Sequence, residues 1–97
     1  MSKYVVLVNW TDQGIRNVED TVERSEAVGS LARQLNGEMK EIYWTLGPYD
    51  IVGIFEAPDD ETATAVALAI SKQGNARTLT MRAYDPGEMR GILGKLS

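Results

Sequence analysis

Ninety-seven residues and 10.7 kDa leave room for one small domain around one hydrophobic core. A hydrophobic fraction of 43% and a charged fraction of 25% exclude disorder and fibrous repeats, and a net charge of −4 gives no attraction to nucleic acid or anionic lipid. The chain has neither cysteine nor histidine, which removes disulfides, thiol chemistry, the commonest general base and the commonest transition-metal ligand.

Lys3 to Trp10 is a β-branched and aromatic run closed by Thr11-Asp12, which predicts a first strand. Tyr4, Val6, Val8 and Trp10 fall on one face, with Val5 and Leu7 on the other, so this strand belongs in the middle of a covered sheet. The apolar stretch Tyr4 to Val8 is too short for a signal-peptide core or a membrane span, and a cytoplasmic location is expected.

An irregular turn over about Asp12 to Glu19 then leads into a helix from Thr21 to Leu35. Ile15, Val18 and Val22 keep helical spacing, as do Val28, Leu31, Ala32 and Leu35, and Ser25 and Glu26 break the stripe between the two sets. Asp20-Thr21-Val22-Glu23 has the form of a capping box, and Asn36-Gly37 ends the helix with a left-handed glycine expected.

Glu38 to Thr45 alternates loosely, Gly47-Pro48-Tyr49-Asp50 is turn chemistry, and Ile51 to Phe55 is apolar throughout, which predicts a hairpin. Ala57-Pro58-Asp59-Asp60 opens a second helix whose inner stripe is Ala63, Val66, Ala67 and Ile70, with Gly74 as its stop. Three acids at Asp59-Asp60-Glu61 read as a cap plus partners of the helix dipole, and no metal is expected.

Ala76 to Tyr84 alternates cleanly: Leu79, Met81 and Ala83 share one face, and Thr78, Thr80, Arg82 and Tyr84 the other. Arg82 is placed to pair with an acid of a partner subunit. Asp85-Pro86 starts a short terminal helix with Met89, Ile92 and Leu93 on its apolar side.

The order strand, helix, strand, strand, helix, strand, short helix predicts an α+β ferredoxin-like βαββαβ plait over residues 1–97, a single domain. Its first and third strands lie at the centre and are apolar on both faces, so one apolar set must lie on the face without helices. Covering that set by a second copy is the expected outcome, a homodimer or a higher oligomer of dimeric α/β-barrel type.

Gly47-Pro48-Tyr49-Asp50, Ile51-Val52-Gly53-Ile54 and Glu56-Ala57-Pro58-Asp59-Asp60, with Asn9-Trp10-Thr11-Asp12-Gln13-Gly14-Ile15-Arg16 and Tyr43-Trp44 upstream, resemble the GYD-domain family. Pro48 separates the glycine from the tyrosine of that signature. The resemblance implies a small prokaryotic protein of the dimeric α/β-barrel type and assigns no reaction.

Candidate site residues follow from position. Asn9, Trp10 and Arg16 lie where plait-type pockets open, and an amide, an indole and a guanidinium there suit a planar or anionic small molecule. Tyr43 and Trp44 point to opposite sides of a strand, so at most one can line a given pocket. Tyr49 and Asp50 are candidates for ligand positioning or proton transfer, although turn and packing roles explain them more simply. No phosphate-binding glycine loop, nucleophile elbow or basic aromatic sheet face is present. Two readings stand: a small-molecule-binding or regulatory module without cofactor, which is favoured, and a cofactor-independent enzyme working by proton transfer or oxygenation through Tyr49, Asp50 and Arg16.

Overall fold

The computed structural model describes Met1–Ser97. Its elements are β1 (Ser2–Trp10), α1 (Asp12–Arg16), a 3-10 turn (Val18–Asp20), α2 (Thr21–Gln34), β2 (Glu38–Trp44), β3 (Ile51–Ala57), α3 (Asp60–Lys72), β4 (Ala76–Ala83) and α4 (Pro86–Gly94). The four strands form one antiparallel sheet in the order β2-β3-β1-β4, the expected plait with β1 and β3 central. No helix is long and apolar enough to cross a membrane.

Strand parity sets the core. Tyr4, Val6 and Val8 of β1 and Phe55 and Ala57 of β3 are buried beneath α2 and α3, and the Tyr4 and Phe55 rings stack at 5.2 Å. Ala63 and Val66 of α3 and Ala32 of α2 complete this small core. The opposite parity carries Val5 and Leu7, paired with Met81 and Leu79 on one side and with Ile54 and Val52 on the other. Leu79 and Met81 are 46% and 43% exposed, so the apolar band on the helix-free face is open in the single chain.

The loose alternation of β2 has a definite cause. A register shift between Met39 and Glu41 lets Met39 and Ile42 both face the helices despite their odd spacing.

The bounds of α2, α3 and α4 fall as expected, while Asp12–Arg16, expected as an irregular turn, forms a short helix; two caps also differ in mechanism. Asp20 precedes α2 without capping it: its backbone (φ −90°, ψ 7°) continues the 3-10 turn, away from the extended conformation from which a capping carboxylate reaches inward. At the other end the left-handed residue is Asn36 (φ 66°), not Gly37. Gly37 serves close approach instead, since a Cβ there would lie 2.6 Å from the Glu56 carbonyl oxygen. Asp59 and Asp85 cap α3 and α4 as expected, and Asp85 forms a full capping box with Glu88.

Arg82 pairs within its own chain, with Glu88 at 3.4 Å, because β4 runs directly into α4 and brings the acid back to its side. Lys3 lies 3.1 Å from Asp85 and 3.6 Å from Glu88, so four charges tie the base of α4 to the sheet. Beyond that base, α4 makes no extensive contact with another helix or strand, and the molecule is drawn out to 52 × 31 × 18 Å.

Accepting the Glu88 amide holds the Asp85 carboxyl below its ordinary 3.8, with help from Lys3; accepting the Asp85 amide holds Glu88 below 4.5. Carboxylates lowered in the fold contribute stability above their ordinary values and lose it as pH falls through the folded values. Acidification from neutral pH to below these values should therefore release α4 while the sheet persists. Amide exchange of Met89–Leu93 rising ahead of β1 amides is the expected result.

Candidate functional site

Beneath the N-terminal half of α2 the core is incompletely filled. The break at Ser25 in the apolar stripe lies here, where Thr21, Ser25 and Val28 face the sheet across a cavity of about 70 Å³. Its floor is Val6, Val8 and Trp10 of β1 with Ile51 and Gly53 of β3, and Met39 and Ile42 close the β2 side. A Cβ on Gly53 would come within 3.1 Å of Val6 and 3.4 Å of the Met39 sulfur, so the missing side chain lets the floor close tightly. The rim is polar, with Arg24 from α2 and Gln73 and Asn75 from the turn after α3.

Two features give this cavity chemical direction. The Trp10 Nε1–H is shielded from solvent and has no acceptor, an uncommon state for a buried donor that costs about 1–3 kcal/mol. Arg24 donates to the Asn17 carbonyl at 2.6 Å and the Gly14 carbonyl at 3.3 Å, which fixes a cation at the edge of an otherwise apolar space. A body that is mostly apolar, with one acceptor or anionic head, matches this lining.

The predicted site residues do not share one place. Trp10 lines the cavity, and Asp50 holds it there: the Asp50 Oδ2 accepts the Trp10 backbone N–H at 2.9 Å, while the Asp50 amide donates to the Val8 carbonyl at 2.9 Å. Trp44 lies near the rim, where its Nε1 donates to Thr21 Oγ1 at 3.0 Å and ties the edge strand to α2. Tyr49 belongs to the turn, with its carbonyl accepting from Thr45 Oγ1 at 2.6 Å, and is not in the cavity wall.

Asn9 and Tyr43 lie on the helix-free face, Asn9 opposite Arg77 and Tyr43 opposite Val52. Tyr43 donates to Glu41 at 3.1 Å, and that hydrogen bond raises its hydroxyl pKa above 10.0. Arg16 is exposed on α1 and outside the wall. The guanidinium at the cavity is that of Arg24, which the sequence reading did not single out. Its signal was its helical spacing, one turn from both Thr21 and Val28. No cluster of three or more Asp and Glu is gathered to hold a metal ion.

Asp50 thus positions the tryptophan backbone. Asp50→Ala should lower stability by about 1–2 kcal/mol, the worth of a hydrogen bond to a charged acceptor at a half-buried site. Asp50→Asn, which keeps an acceptor oxygen, should recover most of the loss in a urea melt.

Fold and cavity together define a ferredoxin-like plait with an apolar pocket between sheet and helix. The chain belongs to the GYD domain family, whose family model matches residues 4–93. It is 32% identical over 90 residues to a Thermus thermophilus protein named glutamine synthetase and cystathionine beta-lyase binding protein, covering 92% of this chain and 95% of that one. Among solved structures it resembles a Thermus thermophilus protein with a TM-score of 0.57 and 25% identity, over 88% of this chain and 95% of the other. FFRP-DM1 matches with a TM-score of 0.61 and 19% identity over 87% of this chain and all 100% of its own. MtbAldR matches with a TM-score of 0.66 and 10% identity, over 87% of this chain and 52% of that one. The last two likenesses establish the fold alone.

Proposed function

We propose that this protein is a non-catalytic, self-associating binding module that holds a small molecule with an apolar body and one acidic head between its sheet and α2. The observation that carries the reading is the cavity of about 70 Å³, lined by Trp10, whose N–H is unpaired, with Arg24 at its rim. A volume of this size suits a short branched aliphatic group. The name of the Thermus relative supports a role exercised through contacts with other proteins.

Self-association is supported by area. The chain exposes 6310 Å². A folded monomer of this mass exposes about 5,500 Å², so roughly 800 Å² more is open than usual, shared between the protruding α4 and the helix-free face. Val5, Leu7, Val52, Ile54, Leu79 and Met81 offer the apolar surface for self-association.

Isovalerate is a suitable probe, with its isopropyl group for the cavity and its carboxylate for the rim. Saturating isovalerate should raise the melting temperature by several degrees, since about 2.7 kcal/mol of stabilisation accompanies a ligand at 100 times its Kd. Val28→Phe, which fills the cavity from α2, should abolish the response; Arg24→Gln should weaken it, and Arg16→Ala should leave it intact. An undiminished response in Val28→Phe would place the ligand elsewhere and refute the reading. Turnover of the bound acid would instead make the protein an enzyme.

A further inference from the structure

The other half of the plait holds a groove of a different character. β4 turns its polar parity toward the helices, so Thr78, Thr80 and Arg82 lie beneath α3, which lines the space above them with Asp60, Ala63, Thr64 and Ala67. The small residues leave an open groove of about 380 Å³, about a dozen water molecules' worth of space.

Its charged groups are arranged by sign. At one end stands Asp60, whose Oδ1 accepts the Tyr4 hydroxyl at 2.6 Å. At the other stands Arg82, with its guanidinium carbon 5.8 Å from the Tyr4 ring centroid. Both line the groove, with the tyrosine between them, yet they form no ion pair with each other. Arg82 spends one arm on Glu88 at 3.4 Å and another on the Lys3 and Ala83 carbonyls, which anchors the guanidinium. In the same wall the Thr80 hydroxyl is shielded from solvent without any partner.

We propose that this groove is a second binding site, independent of the α2 cavity, for a small dipolar molecule carrying an ammonium and a carboxylate, the chemistry of a free α-amino acid. Asp60 Oδ2 and the Tyr4 oxygen are acceptors suited to the ammonium. Arg82 and the Thr80 hydroxyl are donors suited to the carboxylate. A simple acid would engage Arg82 and Thr80 but not Asp60, and a simple amine would engage Asp60 alone. Asp60, Arg82 and the orphaned Thr80 hydroxyl can all be engaged at once by a ligand with both ends.

Amide NMR spectra of the full chain, titrated with glycine, L-alanine and L-serine and then with the remaining proteinogenic amino acids singly, test this. At least one should shift the amides of Asp60–Ala67 and Thr78–Arg82 saturably, whereas propionate and ethylammonium at equal concentration should not saturate. Asp60→Asn and Arg82→Gln should each weaken binding about tenfold or more, the worth of one charge-assisted hydrogen bond. Thr80→Val should raise the melting temperature of the free protein, because the orphaned hydroxyl is gone, and yet weaken the amino-acid response. A hydroxyl with only a structural role would not give that pair of opposite effects. Absence of saturable shifts with every amino acid, equal binding of propionate alone, or undiminished binding by Thr80→Val would overturn the proposal. These results leave the isovalerate test of the α2 cavity untouched.

Discussion

Gly14→Ala should destabilise the protein by more than about 3 kcal/mol, a large part of the 5–15 kcal/mol that folds a small domain. Gly14 is buried in α1, and a Cβ there would overlap the Asn75 carbonyl oxygen and lie 2.9 Å from its carbon. Those atoms are backbone and cannot swing aside as a flexible side chain would. The same carbonyl accepts the Thr11 amide at 3.2 Å, and Thr11 Oγ1 donates to the Gly74 carbonyl, so α1 is laced onto the turn between α3 and β4. Relieving the clash means separating them and stranding polar groups at the mouth of the α2 cavity. A drop of about 12–24 °C in melting temperature corresponds to such a loss in a domain of this size. Gly91→Ala is the matched control: nothing lies within 4 Å of its Cβ, and the better helix former should leave α4 unchanged or up to about 1 kcal/mol more stable.

Leu79→Glu should convert a dimer into a monomer without unfolding it. Leu79 is 46% exposed on the edge strand, so the single chain accommodates a carboxylate at little cost. Across a two-fold interface the change occurs twice and places two unpaired charges among Val5, Leu7, Met81 and their counterparts. Losing the burial of two leucines and desolvating two carboxylates weakens association by several kcal/mol, a rise in Kd of about a hundredfold to a thousandfold or more. Light scattering should report twice 10.7 kDa for the natural chain and 10.7 kDa for the variant at micromolar concentration. Both should share one far-ultraviolet spectrum. A natural chain that is monomeric at tens of micromolar would remove the self-association part of the proposed function.

The architecture was legible because each strand carries its parity in its side chains. Tyr4, Val6 and Val8 alternate with Val5 and Leu7, and the two apolar sets require cover on both faces of the central strands. What alternation leaves open is which set faces the helices. In β4 alternation separates Leu79 and Met81 from Thr78, Thr80 and Arg82 without saying which set faces the helices. Pairing with Leu7 and Val5 turns the apolar set outward and sends Thr78, Thr80 and Arg82 under α3. That choice is made by register with a neighbouring strand, which no single segment encodes.

The candidate site was half legible for a similar reason. Trp10 ends a core-facing strand set and so had to lie near a cavity mouth. Asp50 was visible as turn chemistry, and its carboxylate does hold backbone, that of Trp10 forty residues earlier. Arg16 and Arg24 are both basic residues near the same loop, and only the path of α1 and the 3-10 turn decides which one returns to the cavity. The interruption at Ser25 was visible as a defect in a helical stripe, and in three dimensions that defect is the cavity roof.

The most direct measurement is a search for magnetisation transfer between bound isovalerate and the protein in a filtered NOE experiment at saturation. The methyl protons should show contacts to the Trp10 ring, the Val28 methyls and the Met39 methyl, and the Trp10 Nε1–H should shift on binding. Saturable binding with contacts only outside this set, or no saturable binding of isovalerate at all, would contradict the account.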